Sequence, residues 1–402
     1  FTPTTKAPVT VLDDQALMRL RSYRTASRLS TDADRTLAQL GLLVPASAYE
    51  ACPEQVPETF TVWLSLTNMC NLSCPYCYVP KTARYMTPET GRLALQRIFS
   101  NAQRRQFRRV KIKYAGGEPG LCFDGVKALH AVAQKLSSER GIGLQEVVLS
   151  NGTLLSVSQL QWLAEANVNL MISLDGVGEV HNRLRPDPST GQGTFTKVAD
   201  TIDSALKEGV KLYISTTVSA WNVMGLADVV RFSLDRGLLP HLNLVRTSNA
   251  AMIPPEAQLL ISMQTVMEEF QDANLPFMSG FFDLAVFSPH RYACGVGKNY
   301  LVIGPDGGLF PCQMKLNTEI GSIFDEDEPL SQMQRGDSFN LLAVDQRTDC
   351  ATCAWRYICA GGCPLLTQVY GHNPYCAVYK RFLPALVRLE GERILKSAPL
   401  PA

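Results

Sequence analysis

Cys70, Cys74 and Cys77 lie within eight residues of the stretch TNMCNLSCPYCYVPK (67–81), spaced C-x3-C-x2-C. Thiolates are soft ligands for zinc and for iron–sulfur clusters. Three thiols are too many for one disulfide and one short of the closed tetrahedral set of structural zinc. Bacterial ferredoxin runs also supply four cysteines per cluster. A cubane held by three thiolates keeps one iron free for a further ligand. A zinc knuckle or a group of buried cysteines is the alternative for this stretch read alone.

The chain has twelve cysteines. Seven are late: Cys294, Cys312, Cys350, Cys353, Cys359, Cys363 and Cys376, running C-x12-G-x4-C, then C-x2-C-x5-C-x3-C, then C, with Gly307 as the glycine. Seven thiols do not fill two closed zinc sites, although C-x2-C suits zinc also. Cys52 and Cys122 stand apart. The opening FTPTTKAPVTVLDD lacks the apolar core of a secretory leader, so this cysteine usage points to the cytoplasm and to metal chemistry.

Elements must bring these groups together. Apolar strands are expected at 60–66, 109–115, 146–152, 169–176, 211–218 and 242–247, with amphipathic helices between them. That alternation predicts parallel βα units with strands covered on both faces, and six in a row suit a partial (β/α)6 barrel. Such folds place their chemistry where strands end, and Cys70 follows the first strand. Two helices are expected within 1–58, the second capped by Ser30 or Thr31 and closed near Gly41. PEAQLLISMQTVMEEFQD (255–272) reads as one helix, and the last helix as broken near Pro384.

The C-x3-C-x2-C motif, with Tyr76 before its last cysteine, resembles the radical SAM superfamily. The resemblance implies a [4Fe–4S] cluster on Cys70, Cys74 and Cys77, with S-adenosylmethionine (SAM) on its free iron. Reduction would then yield a 5′-deoxyadenosyl radical that takes hydrogen from a substrate. YAGGEP resembles the GGEP motif, implying cofactor contact by Gly116, Gly117, Glu118 and Pro119. Ser150 and Asn151, then Ser173 and Asp175, end the third and fourth strands where ribose contacts fall; loop capping explains each equally well. The segment HNRLRPDPSTGQGTF (181–195) is similar to the family's arginine segment, except that Asn182 stands where an aspartate is usual. It implies Arg185, with Arg183 second, for the SAM carboxylate. Ile214 and Val218 would pack on adenine, or simply in the core.

The late array resembles the seven-cysteine SPASM domain. That resemblance implies a small irregular C-terminal domain with two auxiliary [4Fe–4S] clusters, making three in all. Cys350, Cys353, Cys359 and Cys376 would hold the outer one, and Cys294, Cys312 and Cys363 the inner. Some relatives add an eighth cysteine shortly after the first; GVGKNY has none, which leaves an iron for another ligand. Cys122 is either a hydrogen-atom donor or a buried apolar thiol.

Expected regions are an N-terminal helical segment (1–58), serving as a cap or a partial peptide-binding module, and a barrel (59–250). A bridge (251–290), the SPASM domain (291–380) and a helical tail (381–402) follow. The function implied is oxidative modification of a peptide or protein, such as a thioether or carbon–carbon crosslink, with electrons from a flavodoxin or ferredoxin. Formylglycine formation and electron carriage without turnover are the alternatives; a carrier needs neither GGEP nor Arg185. Lys plus Arg total 38 against 37 acids, a balance that suggests neither nucleic acid nor an anionic membrane as partner. No apolar run approaches the roughly 18 residues of a membrane helix.

Overall fold

The computed structural model describes residues 9–23, 25, 27–45, 52, 56–270, 280–335 and 341–397. Expectations for 1–8, 46–51 and 53–55, for 271–272 of the expected helix with the bridge to 279, for 336–340 and for 398–402 lie outside them. The chain divides into two compact units. One holds residues 56–258 and 294–341; the other holds 1–55, 259–293 and 342–402.

In chain order the helices and strands begin α1 (Asp14–Ser22), α2 (Asp32–Gln39), β1 (Thr59–Thr67), α3 (Pro88–Arg104), β2 (Arg109–Gly116) and α4 (Phe123–Arg140). They continue β3 (Gly143–Ser150), α5 (Val157–Glu165), β4 (Asn169–Ser173), α6 (Glu179–Leu184), α7 (Phe195–Lys207), β5 (Leu212–Val218), α8 (Leu226–Leu234) and β6 (Pro240–Leu244). After α9 (Glu256–Glu268) come β7 (Tyr300–Ile303), β8 (Gly308–Phe310), β9 (Gly321–Ser322) and α10 (Pro329–Arg335). The chain closes with α11 (Arg356–Cys359), α12 (Pro364–Tyr370) and α13 (Cys376–Ser397).

The sheet order is β6-β5-β4-β3-β2-β1-β7-β8-β9, and neighbours among β1 to β6 are parallel. Right-handed crossovers that always step the same way put their helices on one face and leave the other as the inside of a partial barrel. Phe60, Val62 and Leu64 of β1, Val110, Ile112 and Tyr114 of β2, and Leu170 and Ile172 of β4 face the helices and are buried. Alternate residues such as Thr61, Trp63, Lys111 and Lys113 point inward and are only half-buried. The expectation of strands covered on both faces holds in part: Ser65, Ala115, Val147 and Val302 are buried on the inner face, whereas its other positions stay half-buried. The polar alternation of β1 and β2 falls where that face is not packed to a core.

β3 begins at Gly143, three residues earlier than expected, because Arg109 to Ile112 of β2 pair with Gly143 to Glu146. β7 pairs in parallel with β1, Thr61 opposite Tyr300, so the segment after Cys294 extends the same sheet. A hairpin through Gly304–Gly307 carries β8 back to Cys312.

In the other unit, Thr31 caps α2 in a capping box with Asp34. Asp34 is fully buried and pairs with Arg19 of α1 at 2.6 Å. The break expected at Pro384 does not occur: α13 runs from Cys376 to Ser397 with Pro384 inside it. The lost backbone bond costs about 3 kcal/mol. Val378, Tyr379, Phe382, Leu383 and Leu386 are all buried along this helix, at about 1.5–3 kcal/mol each, which outweighs it.

Candidate active site: two cysteine arrays

The groups singled out by sequence in the barrel gather where its strands end. Cys70 follows β1, Gly116–Pro119 close β2, Ser150 and Asn151 end β3, and Ser173 and Asp175 end β4. Cys70, Cys74 and Cys77 act on one another electrostatically, as thiols of one site do. Burial pushes the thiols of Cys70 and Cys74 up. Iron would reverse this, because a coordinated thiol is held as the thiolate. Leu72 N–H donates to Cys70 Sγ at 3.4 Å. Asn151 Nδ2 stands 3.8 Å from the same sulfur and donates to Asn71 Oδ1 at 2.9 Å. Among the described residues no three His, Cys, Asp or Glu converge on one point as ligands of a single ion do. Cubane thiolates each meet their own iron and need no such convergence. Three thiols on one loop, one of them met by the Leu72 N–H and the Asn151 amide, fit that group.

Gly116 and Gly117 explain themselves by what lies beside them. A Cβ on Gly117 would sit 2.0 Å from the Met69 carbonyl oxygen, and one on Gly116 2.1 Å from that of Thr67. Gly116 also has φ +126°, open to glycine. The two glycines let β2 clasp the cysteine loop: Gly117 N–H donates to Thr67 O at 2.7 Å and Glu118 N–H to Met69 O at 2.8 Å. Ser73 N–H donates to Pro186 O, tying the loop to the arginine segment.

Glu118 is fully buried. Its carboxylate accepts from Ser150 Oγ at 2.8 Å, Asn151 N at 2.7 Å and Gly120 N at 2.8 Å. Burial raises its pKa; the hydrogen bonds from Asn151, Gly120 and Ser150 oppose the rise. Pro119 begins the short turn into α4.

Asp175 is fully buried and accepts from Arg185 Nε at 2.7 Å, from Thr217 N at 2.7 Å and from the Tyr76 hydroxyl. Burial alone would lower the pKa of Arg185; the charges of Asp175, Tyr76 and Cys74 more than offset this and hold it well above the ordinary value. The Arg185 guanidinium lies 5.7 Å over the Tyr76 ring. Asn222 Nδ2 donates to Asp175 O at 2.7 Å and to Thr217 O at 2.8 Å. Nothing in the sequence marks Asn222; its role follows from a loop that turns back after β5. Tyr76, inside the motif, is the second partner that spacing alone does not assign. Arg183 lies in the last turn of α6.

Ser173 pairs with Ser215 across the sheet and is half-buried. Ile214 lies on the helix-covered face, in the core with Ile172 and Leu174. Val218 is buried on the same face. This placement favours core packing for both over a contact with adenine. Cys122 packs partly buried against the core, and burial pushes its thiol up to about 11.

Cys294 and Cys312 flank the β7–β8 hairpin and pack against the barrel core. Met314 N–H donates to Cys312 Sγ at 3.4 Å, and Tyr300 OH donates to Gln313 Oε1 at 2.6 Å. Cys350, Cys353, Cys359, Cys363 and Cys376 belong to the other unit. Cys359 acts electrostatically on Cys350 and is acted on by Cys353 and Cys376. Burial pushes Cys350 up to about 12 and Cys359 up to about 11. Ala360, Gly361 and Gly362 are all left-handed, turning the chain between Cys359 and Cys363. A Cβ on Gly362 would sit 2.0 Å from Asn373 Nδ2. Cys52 is buried beside Cys350, Tyr357 and Ala360.

A parallel partial barrel with thiols, a buried carboxylate and a buried arginine at its strand ends defines a cluster-dependent enzyme of the barrel class. Residues 64–232 match the radical SAM superfamily, and 294–354 match SPASM, an iron–sulfur cluster-binding domain. The chain carries a radical SAM domain and, after it, a SPASM domain. It is similar to the cysteine-type anaerobic sulfatase-maturating enzyme of Clostridium perfringens, 22% identical over 350 residues, covering 78% of this chain and 92% of that one. It is also similar to the PqqA peptide cyclase of Rhodopseudomonas palustris, 24% identical over 353 residues, covering 80% and 89%. In fold it resembles anSMEcpe solved with bound AdoMet, at TM-score 0.64 and 18% identity over 83% of this chain and 99% of that one. Streptococcus suis SuiB bound to precursor peptide SuiA gives 0.53 and 16%, covering 89% and 84%. Iron–sulfur clusters and SAM are the cofactors these two domains imply.

Proposed function

We propose that the chain oxidatively modifies a peptide or protein, forming a bond such as a thioether or carbon–carbon crosslink. The carrying observation is the meeting of Cys70–Cys77, Glu118 and the Asp175–Arg185 pair at the ends of β1, β2 and β4. The name of the PqqA peptide cyclase among the relatives supports the substrate class. Held by these residues, a reduced [4Fe–4S] cluster with SAM would supply a 5′-deoxyadenosyl radical for hydrogen abstraction, and two auxiliary clusters an electron sink.

In this reading Cys70, Cys74 and Cys77 hold the first cluster. Glu118, with Gly116, Gly117 and Pro119, takes the SAM ammonium; a buried carboxylate suits that cation. Arg185, aimed by Asp175, takes the SAM carboxylate, with Arg183 in reserve. Ser150, Asn151, Ser173 and Asp175 line the ribose end. Cys350, Cys353, Cys359 and Cys376 hold the outer auxiliary cluster; Cys294 and Cys312 supply thiolates to the inner one, making three in all. Cys122 keeps its proton at neutral pH, so it can offer a hydrogen atom only as the S–H. A cytoplasmic flavodoxin or ferredoxin would be the electron donor.

Anaerobic incubation of the reduced protein with SAM should release 5′-deoxyadenosine; none would refute the radical step. Formylglycine formation is a second reading, favoured by the sulfatase-maturating relatives. A sulfatase-derived cysteine peptide discriminates. An aldehyde replacing the thiol supports the second reading, whereas loss of two hydrogens with a new crosslink supports the first.

A further inference from the structure

The register of β1 to β7 decides which side chains face the inside of the barrel. The ionisable ones are Arg109, Lys111, Lys113, Tyr213, His241 and Tyr300. No aspartate or glutamate occupies an inner position of these strands. Glu146 of β3 points the other way, bonded to Tyr114 and His130 on the helix side. Lys111 and Lys113 are two apart on β2 and so share the inner face, both half-buried. Lys113 Nζ lies 5.7 Å from the centre of the Trp63 ring. Neither lysine makes an ion pair or hydrogen bond with the described residues. Two half-buried ammonium groups on one strand, facing no carboxylate among the described residues, repel each other and lose part of their hydration. Burial lowers the pKa of both, that of Lys113 to about 8, and Lys111 lowers Lys113 further. An anion entering the barrel relieves both costs.

We infer that Lys111 and Lys113 form a carboxylate-binding site inside the barrel, which takes an acidic side chain or the C-terminal carboxylate of the substrate peptide. Lys113 lies three residues before Gly116, about 10 Å along the strand. A peptide anchored there reaches the cysteine end of the barrel with about three residues of extended chain. Trp63 gives its stem an apolar wall. The substrate half of this inference rests on the peptide reading above; the anion site needs no turnover and is tested without it.

The test is competitive acetylation of the anaerobic, cluster-loaded full chain by an N-hydroxysuccinimide ester, read residue by residue by mass spectrometry. Glutarate should slow labelling of Lys111 and Lys113 about five-fold relative to the exposed Lys135, while neutral glutaramide should not. Two N-acetylated tripeptides separate the sources: one with an internal Glu and an amidated end, one with Gln and a free C-terminus. Protection by either supports the site and names its ligand. Lys113→Gln, checked by iron content and melting temperature, should remove glutarate protection at Lys111. Equal protection by glutaramide, no protection by any carboxylate, or protection by SAM alone would overturn the inference. Glutarate protection in a protein that releases no 5′-deoxyadenosine would sink the radical reading and leave the anion site standing.

Discussion

Asp175→Asn keeps the size of the side chain and removes its charge. The carboxylate now meets three donors: Arg185 Nε and Thr217 N, each at 2.7 Å, and the Tyr76 hydroxyl. An amide offers one acceptor oxygen and presents N–H where the other oxygen was, so at least one donor faces another donor. The Arg185 side chain is 10% exposed and its partner 0%. Leaving such a cation unpaired costs about 3–5 kcal/mol. At roughly 2–4 °C per kcal/mol for a unit of this size, the barrel should melt on the order of 10 °C lower. Thermal unfolding of the anaerobic, cluster-loaded protein by circular dichroism measures this. Arg185→Met added to Asp175→Asn removes the stranded charge and leaves the amide to serve Thr217 and Tyr76. That double variant should regain at least half of the lost stability. A fall below about 2 °C for Asp175→Asn, or a double variant as unstable as the single one, would refute the reasoning.

Burial lowers the pKa of His181 to about 4, and the Arg185 charge adds to this. A histidine held neutral contributes stability that is fully present above about pH 6.5 and is lost as pH falls toward 4. The drop is about 3 kcal/mol in all, and His181→Phe should flatten it in urea melts across that window. Gly117→Ala drives a methyl into the Met69 carbonyl, 2.0 Å away, so the cysteine loop must shift; reconstituted protein should hold fewer irons and show a weaker signal from the first cluster. Cys74→Ala should abolish release of 5′-deoxyadenosine, whereas Cys353→Ala should mainly impair conversion of substrate. Iron and sulfide analysis should give about three cubanes per chain; a value near half of that would break the assignment of two auxiliary clusters.

The sequence legible by itself was local and periodic. Three cysteines in eight positions, the late array and six apolar strands with helices between them are each set by neighbours along the chain. Apolar alternation predicts a strand because burial of one face drives it, whatever the partner. Partnership over long separations was not legible. That Gly116 and Gly117 make room for the Thr67 and Met69 carbonyls, that Asn222 holds Asp175, and that β7 joins β1 all depend on which chain segments meet. So does the tolerance of Pro384, whose lost hydrogen bond is outweighed by side chains buried along α13. The polar inner face shows the same division. The residues Lys111 and Lys113 are visible in the sequence, but that no acidic residue of β1 to β7 shares their face follows only once seven strands are in register. Spacing determined what can bind iron; register decided what surrounds it, because charge and packing act through space and not along the chain.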